Sequence, residues 1–291
     1  MTKCLLCIGY GFSAQALTAD LQQQGWDIIG TTRSENRANE MHQAGVRSII
    51  WPGNDLNRAL TEASHLLISV APNSKGDPIL KEVDLKNYSF TWVGYLSTTG
   101  VYGNHNGAWV DEASSLTPAT KRGKLRVEAE AAWSSFDLPL HIFRLAGIYG
   151  PGRGPFSKVR NGTARRIIKD DQVFSRIHVD DISQVLEASI MQPRPGAIYN
   201  ICDDEPAPPQ DVIAYAAQLL KLPIPPDLPF EIAEMTSMAR SFYAENKRVQ
   251  NNLIKSELGV TLKYPNYRVG LESLLKKTLN SKILCEKTIQ K

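Results

Sequence analysis

Apolar positions along the chain gather into short runs at 4–8, 28–31, 46–51, 65–71, 91–97 and 140–146, each of strand length and rich in Ile, Leu and Val. Between them stand helical patterns such as SAQALTADLQQQ, closed by Gly25, and ENRANEMHQA, closed by Gly45. A glycine suits the position just past a helix end. Alternation of this kind predicts a parallel sheet covered by helices on both faces. A seventh strand, AIYNICD at 197–203, follows a helical pattern from Asp181 to Met191.

After Gly150 the texture changes. PGRGPFSKVRNG is rich in Gly and Pro, and two short β-like runs flank Asp170 and Asp171. PIPPDLP at 223–229 carries four prolines in seven residues and reads as a semi-rigid connector, with a mostly helical stretch beyond it. The expected division is an α/β core over 1–150 and a mixed segment over 151–291. Within that segment, about 176–205 completes the core, while about 151–175 and 206–291 form a smaller lobe.

Composition narrows the class. The 291 residues are 42% hydrophobic and 22% charged, an ordinary globular mix that excludes disorder, collagen and coiled coil. No run approaches ~18 apolar residues, so no transmembrane helix is expected, and the short apolar run before Gly9 does not read as a signal peptide. A net charge of +3, from 33 basic and 30 acidic residues, argues against nucleic acid and membrane surfaces as partners. Four cysteines make no disulfide framework, and a cytoplasmic setting is expected. Cys4 and Cys7 spell CxxC, but on a strand side chains three apart face opposite sides, so both read as packing residues.

The chemistry begins at Gly9-Tyr10-Gly11-Phe12-Ser13-Ala14, a GxGxxA placed after the first strand and opening a helix. The glycines permit a tight turn and close approach to a pyrophosphate, Ala14 lets helix and strand pack closely, and the helix N-terminus offers unpaired N–H groups. At the end of the second strand an NAD binder usually places Asp or Glu for the ribose 2′-OH; here stand Thr31, Thr32, Arg33 and Ser34. A guanidinium and hydroxyls can hold a 2′-phosphate that a carboxylate would repel, so NADP is favoured over NAD. Val70 and Ala71, after the fourth strand, complete the expected cofactor-binding set.

A scattered set of motifs follows in order: LSTTGVYG at 96–103, Pro118 to Glu128 with KLRVE, RLAGIYGPG at 144–152, SRIHVDDI at 175–182 and YNICDDEP at 199–206. Together they resemble the extended short-chain dehydrogenase/reductase superfamily, the branch of nucleotide-sugar epimerases, dehydratases and reductases, from residue 4 to about 275. The resemblance implies an α/β fold, a Rossmann-type doubly wound parallel sheet with a smaller C-terminal substrate lobe. It implies that Thr98 is the active-site Ser/Thr and that Lys124 is the Lys of Y-x-x-x-K, binding the nicotinamide ribose. The Tyr position is then Thr120, a poor acid or base, which marks an atypical member. Tyr102 in the VYG turn is the first replacement to test, with Tyr149 and His105 behind it.

KVRNGTARRIIK at 158–169 holds five positive charges and no acid, consistent with an anionic or nucleotide-linked small-molecule substrate. Arg176 and His178 are candidates to face the cleft, and Asp180 or Asp181 to cap the helix that follows. No metal site is expected. Members of the superfamily often dimerise, so a homodimer is one option. Two function classes fit: an NADP-dependent oxidoreductase or epimerase/dehydratase-like enzyme acting by hydride transfer, and a catalytically silent NAD(P)-binding sensor.

Overall fold

A computed structural model describes the backbone of residues 3–289 and the side chains of residues 3–279. Seven strands form the central sheet: β1 (Cys4–Ile8), β2 (Asp27–Thr32), β3 (Arg47–Ile50), β4 (His65–Ile68), β5 (Trp92–Thr98), β6 (Leu140–Leu145) and β7 (Ile198–Ile201). Their spatial order is β7-β6-β5-β4-β1-β2-β3, and every neighbouring pair is parallel. The order reverses at β1, the switch point where open α/β sheets bind ligands beyond the strands' carboxyl ends.

Both sheet faces are buried, which is why the strands read as near-continuous apolar runs. On one face Leu5 and Cys7 pack with Leu17 and Leu21 of α1 (Phe12–Gln23). On the other, Cys4, Leu6 and Ile8 pack with Ala129 and Trp133 of a later helix. Cys4 and Cys7 thus point to opposite sides of the sheet as buried free thiols, and burial pushes both thiols up, away from the reactive thiolate.

The helices that bear on the site are α1, α2 (Glu35–Gln43), α3 (Lys121–Ser134), α4 (Val179–Met191) and α5 (Ser237–Tyr243). The lobe differs from expectation at two points. Within the proline-rich stretch, Asp227–Pro229 is no mere connector but a short strand paired in parallel with Arg166–Ile168. Neither Asp180 nor Asp181 caps α4: the cap is His178, whose Nδ1 accepts from Asp180 N–H at 3.1 Å. Asp181 instead accepts from the N–H groups of Lys263 and Tyr264, at 2.7 and 3.1 Å, tying the helix to the C-terminal segment. Among the described residues no helix is long and apolar enough to cross a membrane.

Three buried histidines, His65, His141 and His178, have their basicity lowered by burial. His65 packs against Trp26, and His178 lies between Tyr149 and Tyr264; burial holds each down to about 4, against an ordinary 6.5. Their stabilising effect is complete above pH 6.5 and is lost as pH falls toward 4, because the unfolded chain takes up protons the fold refuses. Asp181, whose carboxyl burial raises to about 6, acts in the opposite sense over the same window. The histidine contribution, up to about 3 kcal/mol each, is therefore read in urea unfolding as the difference between wild type and a histidine variant. A His178→Asn variant, which keeps a capping oxygen, should lose a measurable part of that contribution relative to wild type.

Candidate active site

The chain leaves β1 through Gly9, whose φ of +89° is one that side chains rarely adopt; an added Cβ would also meet Val70 Cγ1 at 3.0 Å. The turn is tied to the end of β2: Gly9 N–H donates to Thr31 Oγ1 at 2.8 Å and Tyr10 N–H to Thr31 O at 2.9 Å. Gly11 then begins α1, and no side chain caps it. The first N–H groups of α1, at the positive end of its dipole, stay open for an anion. Tyr10 turns its hydroxyl back onto Thr18, 2.7 Å away. A dinucleotide pyrophosphate fits this uncapped, side-chain-free cradle.

These groups form one wall of a cleft of about 1850 Å³ along the carboxyl ends of β1, β2, β4, β5 and β6. The structure brings Gly9, Tyr10, Gly11, Phe12, Ser13, Ala14, Thr32, Arg33, Val70, Ala71, Thr98 and Thr120 together in its lining. Ser34, Tyr102 and Lys124 lie outside it. Ser34 caps α2, accepting from Arg37 N–H.

Tyr102, the expected first replacement for the missing Tyr, does not line the cleft. It is wholly buried, with its hydroxyl donating to Asn200 Oδ1 at 2.7 Å and accepting from Arg144 Nη1 at 3.0 Å, and burial pushes the phenol up. His105 also stays off the cleft, its Nε2 3.1 Å from Tyr102 O. Thr120 caps α3, its hydroxyl accepting from Gly123 N–H at 3.1 Å.

The rotation of α3 turns Lys124 away from the cleft. Arg122, Arg126 and Glu130 recur every four residues and share one helix face, whereas Lys124 stands about 200° round from Arg126 and is exposed. Arg122 and Arg126 line the cleft. Glu130 below them is buried, accepting from Arg144 Nη2 at 2.9 Å and from the Ser97 hydroxyl. The start of α3 also sits hard against the turn after Thr98: a Cβ on Gly123 would lie 2.9 Å from Gly100 O. The two positions one turn apart that this face of α3 presents to the cleft are therefore Arg122 and Arg126.

The far wall comes from the lobe. Tyr149, Arg153, Arg176, Tyr243, Glu245 and Lys247 line it. Arg176 lies in the cleft as expected, with Nη1 donating to Phe174 O and Ala207 O, but His178 does not. Tyr149 is held in place by a missing side chain: a Cβ on Gly270 would fall 2.1 Å from its hydroxyl. The Tyr243 hydroxyl bonds no other described residue; burial raises its phenol while Arg176 and Arg165 oppose the rise. The basic run at 158–169 is turned elsewhere: none of its charges lines the cleft, Arg166 pairs with Asp227, and Arg165 donates to Glu234 O.

Electrostatically the cleft is one-sided. Arg33, Lys121, Arg122, Arg126, Arg153, Arg176 and Lys247 line it against two carboxylates, Glu82 and Glu245. Glu245 is taken up by Lys247 at 2.9 Å, and Glu82 accepts from Trp51 Nε1 at 2.9 Å. Sequence reasoning missed Arg122, Arg126, Tyr243 and Lys247. The signal for the first two was present: counting back four and eight from an acid that can pair with Arg144 selects 126 and 122.

Sheet order, glycine turn and cleft define a Rossmann-type α/β fold, one shared with solved NAD-bound epimerases and dehydratases. No family model matches the chain. A functionally unknown conserved protein from Silicibacter pomeroyi DSS is 57% identical, with a TM-score of 0.91 over 95% of this chain and 99% of that one. The chain belongs to the same family as that protein. Protein YeeZ of Escherichia coli K12 is 26% identical over 283 residues, 91% of this chain and 97% of its own length. UDP-glucuronic acid 4-epimerase from Bacillus cereus, solved with NAD, shares the fold at 16% identity and a TM-score of 0.73, over 92% of this chain and 94% of that one.

Because Glu130 and Arg144 are buried together, removing one partner strands the other's charge. Glu130→Ala should cost about 3–5 kcal/mol in urea unfolding, while Glu130→Leu with Arg144→Met should recover much of that loss. The paired variant is also expected to release α3 from its rotation.

Proposed function

We propose that the protein is an NADP-dependent oxidoreductase or nucleotide-sugar epimerase/dehydratase-like enzyme acting by hydride transfer on a small molecule. The single observation that carries this reading is that one cleft joins the uncapped glycine turn, the Thr98 turn and the lobe wall. A sensor needs only the first of these, so the catalytically silent reading is not favoured. In this reading residues 1–150, completed by 176–205, hold the cofactor, and 151–175 with 206–291 enclose the substrate.

When bound, the nicotinamide supplies or takes up the hydride. The glycine turn and the first N–H groups of α1 would hold the pyrophosphate, and Val70 and Ala71 would border it. Thr32 and Arg33 line the cleft where β2 ends, and Arg33 has no ion pair among the described residues. That supports a 2′-phosphate contact and hence NADP. Thr98 accepts a hydrogen bond from Gly100 N–H at 3.1 Å, which leaves its own proton to donate to a substrate oxygen. Arginine stays charged up to a pKa above about 12 and cannot trade protons near neutrality. Tyr243, a cleft phenol with a free hydroxyl and two cationic neighbours, is the group we assign to proton transfer.

Two tests follow from these assignments. Arg33→Ala should weaken NADPH by roughly tenfold or more and hardly touch NADH, as read by fluorescence titration, because a charge-assisted contact is worth about 1.5–3 kcal/mol. Equal losses for both cofactors would remove the NADP assignment. In NADPH-oxidation assays against a panel of nucleotide sugars and small carbonyl compounds, Tyr243→Phe should lower kcat by about 10²–10⁴-fold with NADPH affinity unchanged. Thr98→Val should lower kcat as well. Wild-type protein that binds NADPH but turns over nothing would return the sensor reading.

A further inference from the structure

Arg122 and Arg126 present an electrostatic problem that the chain itself leaves unsolved. Like charges four apart on a helix repel, and cations at a helix start oppose the dipole. The first six residues of α3 carry Lys121, Arg122, Lys124 and Arg126, with no acid in the first turn. No carboxylate among the described residues comes within 4.0 Å of Arg122 or Arg126. Arg144, by contrast, is fully matched by Glu130 on the same helix face.

What holds the two guanidinium groups is neutral. Arg126 Nη1 donates to Tyr95 Oη at 3.0 Å and to Leu96 O at 2.9 Å, and its group lies 5.4 Å from the Tyr95 ring centroid. Its Nε and Nη2 donors bond no described residue. Arg122 lies 5.2 Å from the ring centroid of Phe242, on α5, which is a lining residue itself. One guanidinium is thus anchored along one edge with its other edge unused. The other is backed by an aromatic face. A planar fork with unused donors in a cleft matches a bidentate oxyanion.

We propose that Arg122 and Arg126 form a clamp for an oxyanion of the substrate, a carboxylate or a phosphate, beside the Thr98 hydroxyl. The clamp adds fixed charge to the proton transfer assigned to Tyr243: it orients the substrate and stabilises negative charge that develops on an oxygen near Thr98. This deepens the proposed function and rests on reading the cleft as the site of a cofactor-dependent enzyme.

The test is calorimetric titration of the protein, with and without saturating NADPH, using oxalate and inorganic phosphate as separate probes. At least one probe should bind wild type, and Arg122→Gln and Arg126→Gln should each weaken it by tenfold or more. Arg126→Lys, which keeps the charge but not the fork, should fall between. Tighter oxalate binding assigns a carboxylate, and tighter phosphate binding a phosphate. Arg122 is exposed, so its variant tests the clamp even if Arg126→Gln, deprived of its bonds to β5, fails to fold. The clamp is overturned if neither probe binds wild type, or if binding is undiminished in Arg122→Gln. Failure of NADPH to bind, with anion binding intact and lost in the variants, would instead remove the cofactor reading and leave the clamp standing.

Discussion

The buried carboxylate of Glu130 is the point on which the geometry of the cleft hangs. It accepts from Arg144 on β6 and from Ser97 on β5, while Arg144 reaches on to Tyr102 and to Glu112 O. Tyr102 in turn donates to Asn200 on β7, and Glu112 Oε1 accepts from Asn200 N–H at 2.8 Å. Three strands, one helix and the turn after Thr98 are therefore held by one chain of polar contacts in an otherwise apolar interior. Burying such charges is expensive unless every partner is in place, so α3 has one rotation it can adopt at low energy.

That rotation decides what faces the cleft. With Glu130 turned inward, the two preceding positions on the same face are 126 and 122, and both are arginines. The phenol of the VYG turn is meanwhile consumed as a strut between Arg144 and Asn200. Positive charge accumulates along the mouth of α3, around Arg33 and on the lobe wall, answered by two carboxylates that are already engaged. The architecture has exchanged a titratable group at the helix for fixed charge, and moved the available phenol to the opposite wall.

Much of this was legible in the residues. Seven apolar runs became seven strands because a parallel sheet buried on both faces needs continuous hydrophobicity. The GxGxxA at residue 9 opens a helix because only glycine tolerates the turn. The end of β2 carried its own chemistry in Thr32 and Arg33. What escaped was rotation and reach. Lys124 and Arg126 are two residues apart, and nothing local says which of them points inward; the answer lies in Glu130 meeting a strand fourteen residues further on. The charges of 158–169 looked like a binding surface because a run of cations carries no record of Asp227 or of the carbonyls they meet. Tyr243 was invisible because its importance depends on α5 folding back over a cleft built from the other end of the chain.

The contact between Gly270 and Tyr149 has a consequence for how this family can diversify. Position 270 lies in the long C-terminal helix and is not among the cleft's lining residues, yet its lack of a side chain is what leaves room for the Tyr149 hydroxyl. Any larger residue there would displace the ring from its seat beside His178 and so change the shape of the cleft wall. A relative could therefore narrow or reshape its substrate range through one codon while every residue touching the ligand stayed the same. Comparing active-site residues alone would then class two proteins of different specificity as identical.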